Sequence, residues 1–176
     1  MALTKVTGQG LGTLKTLAGS TTFNIDTDGH ITKPLQPAFL VKPDANQDSL
    51  AVNTYHTVQF DEEKFDLGSD FNTSTYTFTA PVTGKYQLST SVYLYNIDKD
   101  ADYILIYIDT SNNDFSVITD PGAWENDANY QSWVQTVIAD MDANDTAVVK
   151  VYIQAGAAQS NLIAGDYTWF SGYLVA

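Results

Sequence analysis

The sequence predicts an all-β protein, an antiparallel sandwich or jelly roll with an extended N-terminal arm ahead of it. Three observations predict it. Apolar and polar residues alternate with period two through most of the chain after residue 36. The alternating runs are separated by clusters of turn formers: "DKDAD" (98–102), "SNND" (111–114), "DPGAWENDAN" (120–129) and "MDANDT" (141–146). No stretch carries the apolar period of a convincing amphipathic helix.

Residues 1–36 form the arm. They are rich in Gly, Thr and Ser and poor in large apolar side chains. Within them "TTFNIDTDGHIT" alternates at Phe23 and Ile25, turns at Asp28-Gly29 and resumes at Ile31, a short hairpin signal. A lone hairpin is marginal in water, so the arm is expected to need a docking surface or partner chains. "KPLQP" punctuates the chain at Pro34 and Pro37, and the domain is placed at 37–176. In "KYQLSTSVYLY", Tyr86, Leu88, Val92 and Leu94 share one face, with Gln87, Ser89, Ser91, Tyr93 and Tyr95 on the other. "YILIYID" sets Ile104, Ile106 and Ile108 against Tyr103, Leu105 and Tyr107. "AVVKVYIQ" sets Val149, Val151 and Ile153 against Val148, Lys150 and Tyr152. "SWVQTVIAD" and the closing "YTWFSGYLVA" are further strands.

Composition narrows the function classes. A chain of 176 residues buries enough surface to fold without a staple, and it has no cysteine. That excludes disulfides, thiolate metal sites and cysteine nucleophiles together. With 21 acidic against 8 basic residues the net charge is -13, the wrong sign for gripping a phosphate backbone. The acids are mostly aspartate, with glutamate at Glu62, Glu63 and Glu125 alone, a bias suited to turns. "MALTKVTGQGLGTL" lacks the apolar centre of a signal peptide, and no apolar run is long enough to span a bilayer. The expectation is a protein made in a cytoplasm, or carried out of it in an assembled particle, with no membrane insertion.

The stretch from Phe60 carries a family resemblance. Phe60, five residues, Asp66, four residues, Phe71, six residues, Phe78, five residues, then Gly84-x-Tyr86 follow without a gap the aromatic signature of the complement C1q-like domains, relatives of tumour necrosis factor. The two signature positions after it, usually aromatic, are Leu88 and Thr90 here. "Asn144-Asp145" is similar to the family's Gly-Asp turn, and "Phe170-Ser171-Gly172-Tyr173-Leu174" resembles its last strand. The resemblance covers about residues 37–176 and implies a C1q/TNF-like jelly roll. It implies a compact homotrimer, with the strand from Lys85 and the closing strand near the three-fold axis. Tyr93, Tyr95, Phe170 and Leu174 are the interface residues expected from it, with Tyr173, of opposite parity, in the core. Residue by residue, the signature reads as core packing, and Gly84 as a turn residue needing backbone angles closed to other side chains.

"FNIDTDGHITKPLQPAFLV" resembles the leaders that precede C1q-like domains in tailed-phage structural proteins. The function this implies is a non-enzymatic, trimeric structural protein of a virus particle: a fibre, an appendage or a capsid decoration. The arm would anchor it to other virion proteins and the jelly roll would be displayed. The alternative is a receptor-binding head that recognises a host-surface glycan or protein in host attachment. A soluble bacterial C1q-like binding protein is the third reading.

No catalytic residue and no cofactor is assigned. There is no G-x-S-x-G elbow, and the histidines are His30 and His56 alone. Many acids guarantee chance carboxylate pairs, and the sequence selects none for glycosidase work. "Asp98-x-Asp100-x-Asp102" and "Asp140-x-Asp142-x-Asn144" offer alternating oxygens for calcium. Both lack the Gly and Glu of an EF-hand loop, having Tyr103 and Asp109, then Asp145 and Val151, at those positions. They read as solvated turn acids. Tyr103, Tyr107 and Tyr152 point outward by parity and offer rings on which a sugar can stack. The candidate ligand-binding loop is that of Trp124 and Tyr130, although the large area of a tryptophan there favours packing beneath its own loop.

Overall fold

A computed structural model describes residues 13–15, 19 and 21–176, with side chains for 19 and 24–176. The chain divides into two compact units between Gln36 and Pro37. The first holds a three-stranded sheet of β1 (Thr13–Lys15), β2 (Thr21–Ile25) and β3 (Ile31–Thr32), one strand more than the hairpin read from the sequence. Its turn is tied by Asp26, whose Oδ1 accepts from the backbone N–H groups of Asp28 and His30, both at 2.9 Å. Gly29 supplies the left-handed residue, φ +89°.

The second unit is an antiparallel sandwich. Its strands in chain order are β4 (Ala38–Lys42), β5 (Tyr55–Thr57), β6 (Glu62–Leu67), β7 (Phe71–Asn72) and β8 (Thr77–Thr79). Next come β9 (Gly84–Ile97), β10 (Tyr103–Thr110), β11 (Asp114–Thr119) and β12 (Ala128–Met141). The last are β13 (Thr146–Gln154), β14 (Asn161–Leu162) and β15 (Trp169–Leu174). One sheet runs β12-β9-β15-β4-β6 with β14 on β9, the other β11-β10-β13-β8-β7 with β5 on β13. Helix is confined, among the described residues, to one 3-10 turn at Pro121–Ala123.

The core lies between the sheets, and the alternation read from the sequence fills it. Tyr86, Leu88, Val92 and Leu94 meet Ile104, Ile106, Ile108, Val149, Val151 and Ile153, all buried. At one end the rings of the signature converge. Phe39 of β4 stacks on Phe78 of β8 at 4.7 Å and lies 5.0 Å from Phe170 of β15, so aromatic contacts bridge the sheets. Phe60 and Phe71 close the cluster. Spaced rings in the sequence therefore mark one packed patch of core.

Two landmarks need a different physical account from the one the sequence suggested. Gly84 does not use a left-handed conformation. A Cβ there would come within 2.6 Å of the Ala176 carbonyl oxygen and of Leu174 Cδ1, so close approach of the chain end excludes any larger residue. In β15 the parity is the reverse of the expectation. Phe170 is 0 % exposed and Tyr173 is 44 % exposed. Gly172 explains the inversion: it faces inward, where a Cβ would meet Phe39 Cε1 at 2.7 Å and Leu88 Cδ2 at 2.8 Å. Residues two apart share a face, so Phe170 and Leu174 also point inward, and Leu174 packs against the core. Phe170 and Leu174 are thus corrected from interface residues to core residues. At the other landmark Asn144 takes the left-handed place of the family glycine, φ +76°, as Asn does more readily than most residues.

Candidate functional site

The outer face of the first sheet carries a tyrosine cluster. Register places Tyr93 of β9 opposite Ser132, and Tyr95 opposite Tyr130, of β12. Tyr93 stacks on Tyr130 with centroids 6.2 Å apart and planes 5° from parallel, and lies 5.2 Å from Tyr167. Tyr95 meets Tyr130 at 5.7 Å. Burial first, then the neighbouring tyrosines, hold the Tyr93 hydroxyl above its ordinary pKa. Tyr167 is fixed from behind: Ser91 Oγ donates to its carbonyl at 2.8 Å. Further along β12, Val134 and Ile138 are 65 % and 62 % exposed. The same face, over β4, β6 and β15, holds a cleft of about 530 Å³ with Leu40, Phe65 and Trp169 as apolar walls. Lys42 reaches Asp166 at 3.0 Å and Glu62 at 3.4 Å at its rim. The Lys42 ammonium lowers the pKa of the Asp166 carboxyl below the usual range.

The outer face of the second sheet carries another. Tyr152 of β13 lies 4.7 Å from Tyr55 of β5 and 6.1 Å from Tyr103 of β10, and Tyr55 lies 5.6 Å from Tyr107. Gln154 Oε1 accepts from the Tyr152 hydroxyl at 2.5 Å and from that of Tyr103 at 3.4 Å. Tyr107 is pushed up to about 12, by burial first and then by its hydrogen bond with Tyr55. A second cleft, about 250 Å³, is lined by Tyr55, Tyr107, Asp109, Asp114 and Lys150. Lys150 donates to Asp109.

Tyr93 and Tyr95 stand on the outer face of the first sheet, half-buried and exposed. Trp124 follows the 3-10 turn, half-buried and packed against the core, while Tyr130 belongs to β12 and to the tyrosine cluster. Tyr103, Tyr107 and Tyr152 face outward as read. Of the acids in the calcium candidates, Asp98 ties its turn, while Asp140 makes a cross-strand ion pair. Asp98 is buried and accepts from the backbone of Asp100 at 2.9 Å and Ala157 at 2.5 Å. Asp140 pairs with Lys85 at 2.5 Å, and Asp142 accepts from Thr83 Oγ1 at 3.3 Å. His56 Nε2 sits 2.7 Å from the Ala51 carbonyl oxygen, and His30 Nδ1 2.8 Å from Asp26. Sequence reasoning missed Tyr55, Tyr167 and the set Asp109, Asp114, Lys150. The acid pair was findable: the short turn after "YIDT" brings Asp114 opposite Asp109.

Two antiparallel sheets packed over buried signature rings, with tyrosines on both outer faces, define a jelly roll of the C1q/TNF-like kind. The chain belongs to the C1q domain family, whose pattern matches residues 38–175. The fold is similar to the globular domain of zebrafish complement 1qA protein, at 14 % identity and TM-score 0.59, over 80 % of this chain and 98 % of that one. It is similar to murine APRIL, at 12 % identity and TM-score 0.55, over 80 % of this chain and 99 % of that one. No curated protein matches the sequence at a significant level. Among the described residues no helix is long and apolar enough to cross a membrane.

Proposed function

We propose that the protein is a non-enzymatic homotrimer that builds part of a virus particle, as a tailed-phage fibre, appendage or capsid decoration. Domains of this family commonly assemble as homotrimers and are generally binding or structural modules. The observation that carries the reading is the outer face of the first sheet. Tyr93, Tyr95, Tyr130 and Tyr167 together with Val134 and Ile138 form an apolar and aromatic surface of the kind that another copy covers. A cyclic trimer joins two different parts of one surface, and this face offers both projecting rings and a cleft at Phe65 and Trp169. The N-terminal unit supplies the anchor. It is a small sheet with Ile31 and Leu35 exposed, and the leader it belongs to resembles those of phage structural proteins.

The test has two parts. At micromolar concentration the protein should sediment as three chains, and a monomer overturns the assembly. A chain lacking residues 1–36 should still sediment as three chains and should no longer co-purify with the particle. Retained attachment places the anchor in the jelly roll instead.

A further inference from the structure

The second sheet's outer face has tyrosines that neither the core nor the proposed assembly uses. Four of them, Tyr55, Tyr103, Tyr107 and Tyr152, adjoin one another on β5, β10 and β13. Strand pairing sets polar groups at one end of this wall. Lys150 is the β13 partner of Tyr107, and Asp109, two residues along β10, is the partner of Asp114 on β11. The result is a concave site of about 250 Å³ between Tyr55, Tyr107, Asp109, Asp114 and Lys150. That volume is below the roughly 300 Å³ at which drug-sized pockets begin, so it suits a single small ring.

We infer that this cleft binds a neutral pyranose unit of a glycan, with Tyr55 and Tyr107 against its C–H face and Asp109, Asp114 and Lys150 on its hydroxyls. The two rings meet at 60° and 5.6 Å, forming a corner, and Tyr55 is 58 % exposed and ready to stack. Carboxylates accept from sugar hydroxyls and the Lys150 ammonium donates to a ring or hydroxyl oxygen. Lys150 also holds Asp109 in place, so the polar end is ordered before a ligand arrives. The same two carboxylates, on a chain of net charge -13, repel uronates, sialic acids and phosphorylated sugars. The site lies within one subunit and does not depend on the trimer. If the trimer also forms, three copies multiply a weak contact into useful avidity.

The experiment is ligand-observed saturation-transfer NMR on the full chain. The probes are the methyl glycosides of glucose, galactose, mannose and N-acetylglucosamine, with N-acetylneuraminic acid and glucuronic acid as anionic counterparts. At least one neutral glycoside should bind, with a dissociation constant of about 1–10 mM for so small a ligand. Tyr55→Ala should weaken it about fivefold or more, Tyr55→Phe should keep it, and Tyr173→Ala on the other sheet should leave it unchanged. Asp109→Asn leaves the ring wall standing and should also weaken binding. The inference is overturned if no neutral glycoside binds, if only the anionic sugars do, or if Tyr55→Ala and Asp109→Asn both bind like the wild type. Sedimentation of the same samples reports the assembly separately, so failure of one reading is not failure of the other.

Discussion

On the β9–β12 face the outward positions around the tyrosines are filled chiefly by Ser89, Thr136, Val134 and Ile138; on the β10–β13 face Leu105 and Val148 share them with Asp109, Lys150 and Gln154. Both faces come from the same alternation, and both carry linked tyrosines. The difference lies in what each would lose on being covered. Ser89 and Thr136 already bond each other at 2.9 Å, so a protein surface can lie over them without stranding a charge. Burying Asp109, Asp114 and Lys150 under a protein would desolvate three ionisable groups, a cost that Coulomb attraction recovers only in good geometry. A small polyhydroxylated ligand replaces that water group for group. The strip from Tyr93 to Ile138, which stops short of the Lys42–Asp166 and Lys85–Asp140 ion pairs of the same face, suits another copy of the chain, and the second face suits a ligand.

The largest effect comes from the core beneath both faces. Phe170 touches the rings of Phe39, Phe60 and Phe71, and Phe170→Ala should cost about 3–5 kcal/mol of a stability of about 5–15 kcal/mol. Tyr173→Ala, three residues along and outward, gives up one hydrogen bond to Gln87 at 3.1 Å and should change stability by no more than about 1 kcal/mol. Thermal melting of the two variants decides the parity of β15. Equal melting would mean that Phe170 does not lie inward.

The next effect separates the faces. Val134→Glu with Ile138→Glu places two carboxylates on the first face at positions already exposed, so folding should survive while assembly is lost. Ile118→Glu makes the same chemical change on the second sheet, at a side chain 68 % exposed, and should leave assembly intact. Sedimentation at micromolar concentration reads both. A trimer that tolerates the first pair and is broken by Ile118→Glu would exchange the roles assigned to the two faces.

How much of this the sequence showed depends on the range of the interactions involved. Period-two alternation is a local property, and it placed Tyr86, Leu88, Ile104 and Val149 inside and Tyr93, Tyr103 and Tyr107 outside. It failed at β15, where the run "WFSGYL" sets the bulky pairs Trp169-Phe170 and Tyr173-Leu174 around Ser171-Gly172, so that either parity puts a ring on each face. What decides there is the closeness of Gly172 to Phe39, more than a hundred residues away in sequence. The tyrosine clusters were half legible for the same reason. Parity showed which rings face out, but Tyr55 comes from the short β5 and Tyr167 from a turn, where no periodicity exists to read. Trp124 sits against the core because its loop folds back, an outcome the sequence left open.

The smallest effect tests the polar end of the second face. The neighbouring Asp109 carboxyl, by hydrogen bonding first and then by its like charge, and lastly desolvation raise the Asp114 pKa above the ordinary carboxylate value. A carboxyl whose folded pKa exceeds its unfolded pKa binds more protons in the folded chain. Stability therefore falls as pH rises through the window between those values, is highest below the unfolded pKa, and stays reduced above the folded one. Asp114→Asn removes the titrating group. At pH 7 the variant should melt slightly higher than the wild type, by no more than about 2 °C because the pair is near water and screened. Well below the ordinary aspartate pKa of about 3.9, where Asp114 is protonated in the folded and the unfolded chain alike, the difference should vanish. In 1 M salt at pH 7 it should shrink, since screening weakens the repulsion that the substitution relieves. A variant that melts lower than the wild type at pH 7 would show that Asp114 is held by an attractive partner, and the second face would then lack the strained acid pair that distinguishes it from the first.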